Sequence, residues 1–197
     1  LFAALDSARL TDLAGTSGYG GWGADGTAPY PSWRAALLDV ANDRPALRIH
    51  GWHARMKASS VGVGPFQEAY GHLVELADRV PEERHLIHSD LLHYNVLVEA
   101  DRVTGVLDWG CGMYGDFLYD LAWLCFWKPW YPAWQRIDFQ AEALRHYASI
   151  GLDVPHFEDR LCCCQIHIGL AGQAYMAYAG NWTDLQDTAQ HTLDVIG

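Results

Sequence analysis

The sequence predicts an α+β fold, mostly helical with a small β segment set between the helices, and three observations carry the prediction. Apolar residues recur at helical spacing through residues 66–80. Between residues 85 and 108 the pattern shortens to that of strands, and from Asp116 onward it returns to helical, punctuated by Gly151, Pro155 and Gly180. The chain has 197 residues, half of them hydrophobic and 19% charged. That balance suits one domain, or one large lobe of a bigger one, around a sizeable core.

In chain order, residues 1–14 read as the tail of a helix, with Phe2, Leu5, Leu10 and Leu13 apolar. A loop rich in Gly and aromatics follows, from Thr16 to Pro31. Ser32 is a good N-cap for a helix over Trp33 to Ala41, because its hydroxyl can accept from an unpaired first-turn N–H. Phe66, Tyr70, Leu73, Leu76 or Ala77, and Val80 fall on one face of a second helix, with Pro81 beyond its end. His85–His88, Asn95–Glu99 and Val103–Asp108 then read as strands, the last two joined as a hairpin through Ala100-Asp101-Arg102. Helices are expected at 116–127, 133–149, 156–179 and 182–195.

Composition narrows the function. Thirteen Lys plus Arg stand against 24 Asp plus Glu, a formal charge of -11. Such a surface repels nucleic acid and anionic membrane and concentrates a cationic ligand, although acidity also serves solubility alone. Five cysteines, three of them consecutive at 162–164, do not form a disulfide framework and point to a reducing, cytoplasmic compartment. No apolar run approaches the ~20 residues of a membrane helix. The chain starts at Leu1 rather than Met, which reads as a fragment.

The chemistry concentrates between residues 88 and 120. His88-Ser89-Asp90-Leu91-Leu92-His93-Tyr94-Asn95 lies between the first two strands, and Asp108-Trp109-Gly110 follows the hairpin. Phosphoryl transfer needs a group that orients the attacking hydroxyl and accepts its proton, and oxygen ligands that hold Mg²⁺ against phosphates. Asp90 suits the first task. Asn95 and Asp108 suit the second, since amide and carboxylate oxygens are hard ligands for a hard cation. The spacing H-x-D-x-x-x-x-N, a hairpin and a terminal Asp together match a kinase catalytic loop (88–95) and metal-binding segment (108–110). His88 is expected as a support. Gly115-Asp116 and Asp120-Leu121-Ala122 come next; Asp116 reads either as a helix N-cap or as a carboxylate that hydrogen-bonds the catalytic loop and fixes Asp90.

At these residues the sequence resembles the aminoglycoside phosphotransferase family, which shares the protein-kinase-like fold, and within it the hygromycin-type branch. The resemblance is carried by Thr16-Ser17-Gly18-Tyr19-Gly20, Trp33-Arg34, Arg84 to Asp90, Asn95-Val96-Leu97, Gly105 to Trp109, Met113 to Asp116 and Phe126 to Trp130. It spans roughly residues 10–135. It implies an ATP- and Mg²⁺-dependent transfer to a hydroxyl of a small cationic sugar-containing substrate, and residues 1–197 as the C-terminal lobe. The family's N-terminal lobe, with a nucleotide-covering loop and a phosphate-facing Lys, has no counterpart here and is expected in the same or an upstream polypeptide. Gly18-Tyr19-Gly20-Gly21-Trp22-Gly23 satisfies G-x-G-x-x-G literally, yet it follows no strand and reads as a loop. Lys57 lies in a helix start or loop, not in a strand.

Several other readings stay open at this level. A lobe without the nucleotide clamp is also a candidate binding module without turnover. His88, Asp90, His93 and Asp108 have the chemistry of a transition-metal hydrolase site. Cys163 and His167 stand one helical turn apart, as in half a zinc site, although buried thiols serve equally as small hydrophobes. Phe126 to Tyr131, with Trp134, reads as core or as an aromatic wall of the acceptor pocket. Asp138, Glu142, Glu158, Asp159, Asp184 and Asp187 are either solvated or ammonium-binding.

Overall fold

The computed structural model describes the backbone of residues 1–197 and every side chain except that of His93. Its helices are α1 (Phe2–Arg9), α2 (Trp33–Leu38), α3 (Trp52–Ala58), α4 (Gly64–Ala77), α5 (Leu118–Trp127), α6 (Phe139–Ser149), α7 (Phe157–Ala179) and α8 (Trp182–Ile196). Its strands are β1 (Gly20–Gly21), β2 (His85–Ile87), β3 (Val96–Glu99), β4 (Arg102–Val106) and β5 (Met113–Gly115). The fold is thus α+β, with helices before and after a small antiparallel segment.

The helix starts follow their caps. The Ser32 hydroxyl accepts from Ala35 N at 3.0 Å at the head of α2, and α2 runs on as one 3₁₀ turn over Asp39–Ala41. Lys57 falls in α3, whose first N–H groups are satisfied at a distance: Asp43 accepts from Gly51 N at 2.6 Å and His53 N at 2.8 Å. The helix expected at 133–149 begins later, at Phe139. Asp138 caps it by accepting from Ala141 N at 3.0 Å, and two 3₁₀ turns, Lys128–Trp130 and Pro132–Trp134, precede it. The two prolines open those turns, where a missing N–H costs nothing.

Helix α7 is the hub and packs against α3, α4, α5 and α8. Leu161, Cys163, Cys164, Ile166, Ile168, Leu170 and Ala177 are buried on it, so it is apolar nearly all round, as a central helix must be. The cysteine triplet belongs to this core.

The β segment forms two small sheets. In one the order is β1-β5-β2, all antiparallel, with Leu86 opposite Tyr114 and Gly20 also opposite Tyr114 on the other side. The other is the β3-β4 hairpin, with Val96 opposite Val106 and a register shift after Leu97. Strands β1 and β5 are absent from the sequence reading. At two and three residues they carry no period, and they exist because close packing brings their backbones together. The Trp33 ring lies so near Gly115 that a Cβ there would meet it at 2.3 Å.

Candidate active site

Strand β2 delivers the chain into the loop at His88, which is buried. Both ring nitrogens are committed: Nε2 donates to the Leu107 carbonyl at 2.7 Å, and Nδ1 accepts from Asp90 N at 3.3 Å. A carbonyl only accepts, so the proton sits on Nε2 and the imidazole is neutral. The ring also meets Trp109 edge to face, centroids 4.8 Å apart. His88 therefore ties the residue before Asp108 to the backbone of Asp90. With both nitrogens used it cannot ligate a metal, which removes it from the hydrolase reading. The His93 side chain in that reading lies outside the described residues.

Ser89 adopts φ 59°, a left-handed conformation that costs a non-glycine residue roughly 1 kcal/mol or more. Two hydrogen bonds hold it there, from Ser89 N to Asp120 Oδ1 at 2.8 Å and from Ser89 Oγ to the Cys111 carbonyl at 2.5 Å. The result turns Asp90 out of the strand.

The hairpin brings the other two groups to Asp90. Because Val96 pairs with Val106, the residues just outside that pair, Asn95 and Leu107, also meet, with Leu107 N donating to the Asn95 carbonyl at 2.8 Å. Asn95 Nδ2 donates to the Asp90 carbonyl at 2.7 Å. Its amide nitrogen is thereby fixed, and its Oδ1 is the atom that could hold a cation. Asp108, at φ 59° and ψ 63°, is exposed and turns the chain sharply into Trp109. Asp90 and Asp108 feel each other: burial lifts the Asp90 carboxyl above its usual range and the Asp108 charge adds to it, while the Asn95 amide opposes the shift.

Asp116 is placed elsewhere than the loop-fixing reading requires. Its buried carboxylate receives both Arg160 Nε and Nη2 at 2.8 Å and Leu118 N at 3.0 Å. It joins α7 to the start of α5 and does not touch residues 88–90. The loop is held by Asp120, one turn further along α5, which accepts from His88 N at 3.0 Å and Ser89 N at 2.8 Å. Burial raises its carboxyl while those two bonds oppose the shift. The available signal was an aspartate inside a helix otherwise apolar on every face, Leu118 to Trp127.

The remaining candidates divide. Gly20–Gly21 is strand β1 rather than loop, and Arg84 pins it by donating to the Gly18 carbonyl at 2.8 Å and to Thr16 Oγ1 at 2.6 Å. The glycine cluster is thus spent on packing. His167 bonds the Tyr119 hydroxyl at 2.9 Å, and Cys163 is buried in the core. Asp138 and Asp184 act at helix starts, and Glu142 pairs with Arg145 at 2.6 Å. The aromatic segment splits: Phe126, Trp127 and Trp130 pack on one another, and Phe126 and Trp130 also on His191 of α8. Tyr131 lies against Trp134, which in turn meets Phe139 edge to face and packs on the core.

Asn95 Oδ1 and the Asp108 carboxylate suit Mg²⁺, which takes one or two protein oxygens and completes its shell with water and phosphate. Among the described residues no three His, Cys, Asp or Glu side chains gather into a metal cage. No described helix is long and apolar enough to cross a membrane.

Comparison with known proteins places the fold. The hygromycin-B 4-O-kinase of Escherichia coli is 34% identical over 127 residues, 64% of this chain and 36% of that protein. The crystal structure of aminoglycoside phosphotransferase APH(4)-Ia superposes with a TM-score of 0.79 at 28% identity, covering 98% of this chain and 61% of that one. A thermostable mutant of it, in ternary complex with AMP-PNP and hygromycin B, gives a TM-score of 0.77 at 27% identity. The chain thus spans about three-fifths of the length of these solved structures. The model of the phosphotransferase enzyme family APH matches residues 2–155, and the chain belongs to that family.

Proposed function

We propose that these residues form the catalytic and metal-binding side of an ATP- and Mg²⁺-dependent phosphotransferase that acts on a hydroxyl of a hygromycin-like aminoglycoside. The observation that carries the reading is the convergence of Asp90, Asn95 and Asp108 through His88 and the hairpin. Relatives named for hygromycin B, one of them seen with AMP-PNP, support the acceptor class and the nucleotide. The acidic surface, of formal charge -11, favours a cationic acceptor.

Asp90 orients the acceptor hydroxyl and takes its proton. Its raised pKa moves it toward the working pH, where a general base is most effective. Asn95 and Asp108 present the ligand oxygens, and Asp120 and His88 keep the loop from relaxing. Bound Mg²⁺-ATP supplies the phosphoryl group and neutralises its charge. The test is a coupled assay of ADP release by the full-length protein with hygromycin B and Mg²⁺-ATP. Phosphorylated hygromycin detected by mass spectrometry is the expected product, and ADP release that ignores the acceptor would overturn the proposal.

A further inference from the structure

The glycine-rich stretch at 18–23 carries one large side chain toward the candidate site, that of Trp22. Strand β1 ends beside it and pairs with β5, Gly21 opposite Met113. That pairing lays the half-buried indole along the chain that enters β5. The ring stacks on Tyr114, with centroids 4.8 Å apart and planes 24° from parallel. The Arg84 guanidinium lies over the same Tyr114 ring, 4.6 Å from its centroid. The far edge of the indole covers Gly112. A Cβ on Gly112 would meet Trp22 Cη2 at 2.3 Å, and Trp22 Cζ2 and the Trp109 carbonyl oxygen each at 3.0 Å. The Gly112 backbone, at φ -57° and ψ 147°, is open to any residue. The ring, and not the chain conformation, therefore demands glycine there.

Gly112 closes the turn that starts at Asp108. Its N–H donates to the Trp109 carbonyl at 2.9 Å, and the neighbouring Cys111 carbonyl accepts from Ser89 Oγ at 2.5 Å. Asp108 Oδ1 lies over Gly110, 3.3 Å from the place of an absent Cβ. Asp108 itself is left-handed, at φ 59°, a conformation that persists only where its surroundings hold it. We infer that Trp22 is a positioning residue for the proposed metal ligand Asp108: seated on Gly112, the indole braces the turn 108–112 and fixes where that carboxylate points. The inference rests on the phosphotransferase reading above. A group that orients a metal ligand changes metal affinity by about 10–100-fold without touching the ion.

The test is Mn²⁺ binding to the full-length protein at saturating AMP-PNP, read by electron paramagnetic resonance, beside steady-state kinetics with hygromycin B. Gly112→Ala drives a methyl against the ring and should weaken Mn²⁺ binding about 10-fold, with the acceptor KM within about twofold of wild type. Adding Trp22→Phe shortens the ring and lets the methyl fill the space, so the double variant should return to within about threefold of wild type. A methyl that acted on the Trp109 carbonyl alone would gain nothing from the smaller ring. Trp22→Phe by itself leaves a gap over Gly112 and should weaken Mn²⁺ binding about threefold; it decides the matter if thermal melting shows that Gly112→Ala does not fold. Wild-type Mn²⁺ affinity in folded Gly112→Ala or in Trp22→Phe would overturn the brace and leave the phosphotransferase assignment intact. So would a double variant no better than Gly112→Ala, or an acceptor KM that rises as much as the Mn²⁺ dissociation constant. A wild-type protein that neither binds Mn²⁺ with AMP-PNP nor phosphorylates hygromycin B would overturn both.

Discussion

Asp90, as the proposed base, works only while its neighbours hold. Burial and the Asp108 charge raise its pKa, and the catalytically active form is the ionised one. Activity is therefore lost as pH falls through the folded pKa, and the acid limb of kcat/KM should lie above the ordinary aspartate value of about 3.9. A limb at or below that value, measured on the full-length protein, would contradict the assignment. Asp90→Asn keeps the shape and removes the base, so kcat should fall at least ~100-fold while the melting temperature stays put. Asp120 predicts the opposite pattern. Asp120→Ala strands the N–H groups of His88 and Ser89, both in buried residues, at a cost on the order of 3 kcal/mol. Asp120→Asn retains one acceptor oxygen and should lose less in chemical denaturation.

At the scale of elements, the hairpin explains why the centre of the site was legible in the sequence. Asn95 and Asp108 flank two strands whose pairing follows from alternation and a short turn, which the structure makes two residues, Ala100-Asp101, so their convergence needs no long-range knowledge. The choice between Asp116 and Asp120 does need it. They are four residues apart, Asp116 just before α5 and Asp120 in its first turn, and only the position of Arg160, 44 residues after Asp116, decides which carboxylate faces the loop. The Arg160–Asp116 pair itself is buried on both sides, 1% and 1% exposed, so Asp116→Ala leaves a guanidinium in the core without its partner. That loss should cost about 3–5 kcal/mol, and Asp116→Leu combined with Arg160→Met should recover most of it. Because neither residue touches residues 88–90, turnover per folded molecule should survive in the double variant; a large fall in its kcat would mean that the α5–α7 junction reaches the loop.

For the whole molecule, pH acts through the interior of the helical lobe. Helix α7 carries His167, whose Nδ1 meets the Tyr119 hydroxyl at 2.9 Å, and burial lowers its pKa to about 4. The folded chain therefore keeps this ring neutral down to that pH, whereas the unfolded chain protonates it below about 6.5. Between those values the unfolded state binds more protons, so stability declines as pH falls from about 6.5 to about 4. The full shift corresponds to about 3 kcal/mol. The ring borders a cavity of about 270 Å³ shared with Trp52 and Ala171, where water can relieve part of the burial, and that figure is an upper bound. His167→Gln leaves Tyr119 an acceptor and removes the titration. Asp90 and Asp120 titrate in both proteins and cancel in the difference. Urea denaturation of wild type and variant should show stabilities that converge as pH falls from 7 to 4.5, the wild type losing ground by 1–3 kcal/mol. Parallel curves over that range would mean that His167 is protonated in the folded lobe, and that the centre of α7 is wetter than its packing indicates.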